Sequence, residues 1–208
     1  MIRIYCISAA GITEEDYRRL YARATPERQQ RAREYRHRAD AVRCILADAL
    51  LRHALGEDTF TVETGGYGKP YIKERPDFHY NLSHSGDWVV IACSDTPVGV
   101  DIQKMEWDEK KLRLLRRCFT AEEQAYVLEK DEALPARFYE LWTKKESYLK
   151  YLGIGIRTSL NSVRVFPEGS IPFATEFPMP GYCLSLCAAD TRRELTFVPR
   201  ERILEADT

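Results

Sequence analysis

FHYNLSHSGDWVVIACSDTPVGVDIQ, residues 78–103, carries the alternation that decides the fold. Phe78, Tyr80 and Leu82 alternate with polar neighbours, Gly86-Asp87 is a turn signal, and Trp88 to Ser94 is apolar. Asp95-Thr96-Pro97 turns again, and Val98, Val100 and Ile102 resume the alternation. The pattern predicts a three-stranded antiparallel meander. In an up-down-up arrangement the end of the first strand, near His84, and the end of the third, near Asp101, share one sheet edge, so both side chains are expected at one site.

On either side of this stretch the chain begins the same plan twice. Thr13 to Asp16 and Thr120 to Glu123 each pair a capping threonine with an acid three residues on. A long helix with Val42, Ile45, Leu46, Ala49 and Leu50 on one face ends at Gly56, and Pro135 to Leu152, carrying Phe138, Leu141, Trp142, Leu149 and Leu152, ends at Gly153. The apolar run Trp88 to Asp95 is echoed by Tyr182 to Asp190, which suggests a pseudo-twofold duplication. Only Glu205 to Thr208 are expected to fray.

Composition bounds the function. With 208 residues, 44% hydrophobic and 30% charged, the chain suits one large domain or two closely packed halves. No apolar run reaches the ~20 residues of a membrane span, and Met1 to Gly11 reads as a strand without the basic-then-apolar order of a signal peptide. A cytoplasmic protein without a membrane role is expected. Six cysteines without metal-ligand or disulfide spacing are read as reduced, buried, small hydrophobes. A net charge of -1 argues against nucleic-acid binding, yet arginines crowd residues 28–43.

Four groups of residues could carry chemistry. In Gly99-Val100-Asp101-Ile102-Gln103, strand periodicity sends Val100 and Ile102 to the core and presents Asp101 and Gln103 together, two oxygen donors suited to magnesium or to a bland solvated strand end. In Trp142 to Lys150, Lys145 falls on the apolar stripe with Phe138, Trp142 and Leu149, and its ammonium needs an anion such as a pyrophosphate. Glu146 and Lys150, four apart, fit either a surface ion pair or a reacting pair. The arginines 28, 31, 33, 36, 38 and 43 suit phosphate or a solvated face, and the turn-rich GGYGKP (65–70) and NLSHSG (81–86) offer Lys69, Ser83, His84 and backbone amides.

GYGKPYI, FHYNLSHSGDWVVIAC, GVDIQ, FTAEE and WTKKESYLKYLGIGI, in that order and spacing, resemble the phosphopantetheinyl transferase superfamily, in its surfactin-synthetase type built as a pseudo-dimer within one chain. The resemblance covers nearly the whole chain, and GVDIQ and WTKKESYLK are its most specific parts. It implies an α+β fold of two similar halves, 1–103 and 104–208, each a small antiparallel sheet with helices, with coenzyme A in the cleft between them. Coenzyme A would be held by Arg28, Arg31, Arg43, Lys69, Ser83, His84, Lys145 and Lys150. Asp101, Gln103 and Glu146 match the trio that holds magnesium, with manganese as the alternative ion. Gln103 departs from the usual glutamate and leaves Asp101 and Glu146 as the principal ligands.

The resemblance further implies transfer of the 4'-phosphopantetheine moiety to a serine of an acyl- or peptidyl-carrier protein, by a monomer. Asp101, His84, Glu146 as base and Lys150 at the departing nucleotide would carry the chemistry, with Lys145 on the pyrophosphate. Lys110, Lys111, Arg113, Arg116 and Arg117, alternating with leucines, would dock the acidic carrier protein. Two other readings stay open: a magnesium-dependent nucleotide pyrophosphohydrolase, and a degenerate module that binds coenzyme A or a carrier protein without turnover.

Overall fold

β1 (Ile2–Ser8) turns Ile2, Ile4 and Cys6 to one face and Tyr5 and Ile7 to the other, and both faces are covered. In the computed structural model, which describes residues 1–129, 131–155, 159–166 and 172–205, this strand lies inside a four-stranded sheet. Ahead of that sheet's remaining strands come α1 (Glu14–Arg23), α2 (Pro26–Glu34) and α3 (Arg38–Leu55), then the short pair β2 (Val62–Thr64) and β3 (Pro70–Ile72). β4 (His79–Ser85) and β5 (Trp88–Ser94) form the expected hairpin across Gly86-Asp87, with Gly86 at φ 53°.

The meander stops there. β5's second edge is already taken by β1, which pairs with it antiparallel from Arg3↔Cys93 to Ser8↔Trp88. β6 (Val98–Lys104) therefore leaves the sheet and pairs antiparallel with β8 (Tyr182–Ala188), whose other edge holds β7 (Phe173–Glu176). Between β6 and β7 run α4 (Glu109–Cys118), α5 (Ala121–Leu128) and α6 (Leu134–Leu152). β9 (Arg193–Phe197) returns to the first sheet, parallel to β1, and α7 (Arg200–Leu204) follows it. β6, on the near side of the expected boundary at 103/104, pairs in the second sheet, and β9, on its far side, pairs in the first.

These pairings stack an α+β fold in four layers. α3 packs Ile45, Leu46 and Leu50 on Tyr80, Val89 and Ile91 of the first sheet. That sheet's other face, Ile4, Cys6, Val90 and Ala92, meets Val100, Ile102, Leu184 and Leu186 of the second. α6 covers the far side with Phe138, Leu141 and Leu149. Burial on both faces is why β5 reads as an unbroken apolar run. Both expected capping boxes form, at Thr13/Asp16 and Thr120/Glu123, and both long helices end on left-handed glycines, Gly56 and Gly153. All six cysteines are buried and unpaired. No helix among the described residues is long and apolar enough to cross a membrane. Of the residues expected to fray, 206–208 lie outside the described ones.

Candidate functional site

β4 and β6 are the facing edges of the two sheets, and polar side chains join them. Asn81 Oδ1, Ser83 Oγ and Ser85 Oγ accept the backbone N–H groups of Val100, Ile102 and Lys104 at 2.8, 3.2 and 3.0 Å. The constant offset means that the strands run parallel, with side chains replacing a backbone ladder. An edge that would otherwise leave buried amides without partners is satisfied. A polar residue at every second place, 81, 83 and 85, is the sequence signal for this.

Asp101 stands on the α6 side of β6 and is 2% exposed. Its Oδ1 accepts from Ser83 Oγ at 2.8 Å and from Lys150 Nζ at 2.7 Å, and its Oδ2 from Gln103 Nε2 at 3.1 Å. Lys150 also donates to Ser83 Oγ and to the Val100 carbonyl. Glu146, one helical turn before Lys150, makes no hydrogen bond or ion pair among the described residues. Burial, and then the charge of Asp101, raise its carboxyl above the usual range, with Lys150 opposing. Two carboxylates and the Gln103 amide oxygen are hard donors, and a divalent cation would relieve the repulsion between the two acids. No group of three or more His, Cys, Asp or Glu in metal-holding geometry occurs among the described residues; the third donor here is an amide.

Gly99 sets the depth of this arrangement. A Cβ at that position would lie 2.0 Å from the Ser147 carbonyl oxygen and 2.4 Å from the Tyr151 nitrogen, so α6 rests directly on β6. That contact brings Glu146 and Lys150 down to Asp101. Sequence reading took Asp101 and Gln103 from this motif and passed over its glycine.

The other wall is basic. Arg43 donates to the Gly86 carbonyl at 2.8 Å and pairs with Asp40, while its buried Nε has no partner among the described residues. Partial burial, then Arg43 and Lys150, hold the His84 imidazole below its ordinary value, although much of its surface is open. The charge of Arg31 also bears on His84, and that of Arg28 on the buried Tyr80 hydroxyl. The structure brings Arg43 and His84 to one side of β4, where the charges of Arg28 and Arg31 also bear, with Asp101, Glu146 and Lys150 on the other.

Three expected contacts with coenzyme A are corrected or changed. Lys145 is fully buried, with Nζ 2.8 Å from Glu123 Oε2 and donating to the Leu160 and Val163 carbonyls. The anion it needs is the protein's own carboxylate, in the core beneath α6, so it does not reach a pyrophosphate. Ser83 is 6% exposed, and its hydroxyl is engaged by β6 and Lys150. Lys69 lines a cavity of about 180 Å³ with Tyr67, Asn81, Lys150 and Gly153, but its ammonium donates to the Val98 and Tyr151 carbonyls at 3.0 and 3.2 Å.

Burial, with the Cys187 thiol opposing it, pushes Lys69 down to about 8 from an ordinary 10.5. Between those values the unfolded chain binds the additional proton, so this residue's contribution to stability rises with pH across that window. Relative to Lys69→Met, the native protein is expected to gain in urea midpoint from pH 8 to pH 10; parallel midpoints in the two proteins would exclude the shift.

Lys110, Arg113, Arg116 and Arg117 of α4 are exposed, Leu115 and Cys118 are buried, and none of these cations, nor the half-buried Lys111, makes an ion pair among the described residues.

Two family models divide the chain between them: the 4'-phosphopantetheinyl transferase superfamily matches residues 97–197, and the N-terminal part of a 4'-phosphopantetheinyl transferase matches residues 12–96. The chain is 33% identical to 4'-phosphopantetheinyl transferase Sfp of Bacillus subtilis (strain 168), over 93% of this chain and 95% of that one. It is 35% identical to 4'-phosphopantetheinyl transferase psf-1 of Bacillus pumilus, over 77% and 73%. It is also 32% identical to an L-aminoadipate-semialdehyde dehydrogenase-phosphopantetheinyl transferase of Xenopus laevis, over 66% and 52%. With matches of that extent on a fold whose two sheets meet at Asp101, the chain belongs to the 4'-phosphopantetheinyl transferase superfamily.

Proposed function

We propose that this protein transfers the 4'-phosphopantetheine moiety of coenzyme A to a serine of an apo acyl- or peptidyl-carrier protein, as a cytoplasmic monomer. The observation that carries the reading is the pairing, across β4, of a basic wall with a buried acid and lysine: Arg28, Arg31, Arg43 and His84 against Asp101, Glu146 and Lys150. Such a cleft suits a ligand with a nucleotide phosphate at one end and a pyrophosphate at the other.

Asp101 and Glu146, with Gln103 beside them, would hold magnesium, which when bound supplies charge neutralisation at the pyrophosphate. Glu146, whose carboxyl is the unpartnered one, takes the proton of the carrier serine. The serine oxygen then bonds to the phosphorus that bears pantetheine, and the bond from that phosphorus to the bridging oxygen breaks. Adenosine 3',5'-bisphosphate leaves with the electron pair, its new charge met by Lys150. The unpaired cations of α4 suit an acidic carrier surface. No observation favours a pyrophosphohydrolase or a binding-only module.

Intact-protein mass spectrometry of an apo carrier protein with coenzyme A and magnesium, or manganese, tests this. A phosphopantetheine-sized gain on serine is expected, absent with Asp101→Ala or EDTA. Arg116→Glu/Arg117→Glu should raise the carrier KM about tenfold and leave coenzyme A affinity unchanged. Adenosine bisphosphate released without any gain on the carrier would mean hydrolysis instead.

A further inference from the structure

The peptide unit between Gly86 and Asp87 is held at both ends by side chains from different halves of the chain. Its carbonyl, on Gly86, accepts from Arg43 of α3 at 2.8 Å. Its N–H, on Asp87, donates to the hydroxyl of Tyr182 at 3.0 Å. Tyr182 is the first residue of β8 in the second sheet, and only 6% of it is exposed. A peptide unit is planar, with its N–H and C=O pointing opposite ways, so whatever fixes one group aims the other. Without such a hold this unit could turn over easily, because Gly86 sits at φ 53°, and a glycine tolerates both settings of the peptide that follows it. The tyrosine also closes over the turn: a Cβ at Gly86 would lie 2.2 Å from its hydroxyl oxygen and 3.1 Å from its Cζ.

We propose that Tyr182 is a positioning residue for coenzyme A binding: it keeps the Gly86 carbonyl turned toward Arg43, and so aims that guanidinium at the nucleotide phosphate. Arg43 has two groups that orient it, the Gly86 carbonyl and the Asp40 carboxylate. If the peptide turns over, an N–H faces the arginine in place of an oxygen, and the guanidinium is left to Asp40 alone. Its direction is then no longer set before the ligand arrives, and the cost appears in binding rather than in the chemical step. Tyr182 touches neither Asp101, Glu146 nor Lys150 through any hydrogen bond described above, and its action runs through the turn. This inference rests on the reading of the basic wall as the site of the nucleotide phosphate.

The test measures calorimetric Kd for coenzyme A and for dephospho-coenzyme A, which lacks that phosphate, together with kcat at saturating coenzyme A. Wild type should bind coenzyme A at least about tenfold more tightly than dephospho-coenzyme A; equal affinities would remove the reading of the wall and this inference with it. Given that preference, Tyr182→Phe should raise Kd for coenzyme A about threefold to tenfold, with Kd for dephospho-coenzyme A and kcat both within about twofold of wild type. In an Arg43→Met background, Tyr182→Phe should change Kd for coenzyme A by less than about twofold, because the hydroxyl acts through the arginine. The proposal is overturned by an unchanged Kd for coenzyme A in Tyr182→Phe, by equal losses toward the two ligands, by a loss that falls on kcat, by losses that add in the double variant, or by a Tyr182→Phe chain that does not fold.

Discussion

Gly99→Ala is expected to lower transfer about a hundredfold while leaving coenzyme A affinity within a few-fold of wild type. The added methyl group meets the Ser147 carbonyl oxygen at 2.0 Å and the Tyr151 nitrogen and Cα at 2.4 and 2.9 Å. These are backbone atoms of α6, so no rotamer change relieves the contact, and the helix must retreat by about 1 Å to restore ordinary van der Waals separation. Glu146 and Lys150 retreat with it, whereas Asp101 stays on β6. The arginines and His84 lie on the other side of β4 and keep their places. Rates and calorimetry on the same preparation check the split; a loss of affinity equal to the loss of rate would show that the helix also positions the nucleotide.

Lys145→Met is expected to destabilise the protein by about 3–5 kcal/mol, because it strands the Glu123 carboxylate in the core. Glu123 is 0% exposed and is held from three directions: Thr120 N–H at 2.8 Å, Val165 N–H at 3.2 Å and the Lys145 ammonium. Removing only the cation leaves a buried charge. Removing both, as Lys145→Met/Glu123→Gln, should recover much of the loss. For a chain of this length the single variant should melt roughly 10 °C lower. A residue that bound pyrophosphate would behave oppositely, with a near-native melting temperature and a large rise in Kd for coenzyme A.

Lys145 also shows where sequence reading reached its limit. Its place on the stripe with Phe138, Trp142 and Leu149 correctly signalled a buried ammonium in want of an anion. The partner, Glu123, had been read only as the acid of a capping box, which it also is. Helical periodicity tells which face a residue occupies but not what lies opposite. The strands of 78–103 repeat the lesson. Their number, turns and facing were legible from a period of two, but the partner of β6 was not, since β1, more than 70 residues earlier, occupies the edge it would have used. That Asp101, Glu146 and Lys150 come together is legible from strand and helix periodicity, which puts each on the face that the other element covers. Ser83 and Lys69 are read from the sequence as lining residues, and their bonds run to β6 and α6, a fact set by three-dimensional contact alone.

The return of β9 to the first sheet bears on how the chain is made. β1 leaves the ribosome well before its neighbour on one side, β9, which is translated about 190 residues later. At ~5–20 residues per second that interval is roughly 10–40 s. Throughout it, one edge of β1, with Ile2, Ile4 and Cys6 along the strand, waits without its hydrogen-bonding partner. The halves are therefore not independent products of synthesis: emergence of β9 completes the edge of β1, and a nascent chain stalled before Arg193 offers an open edge to any strand that meets it.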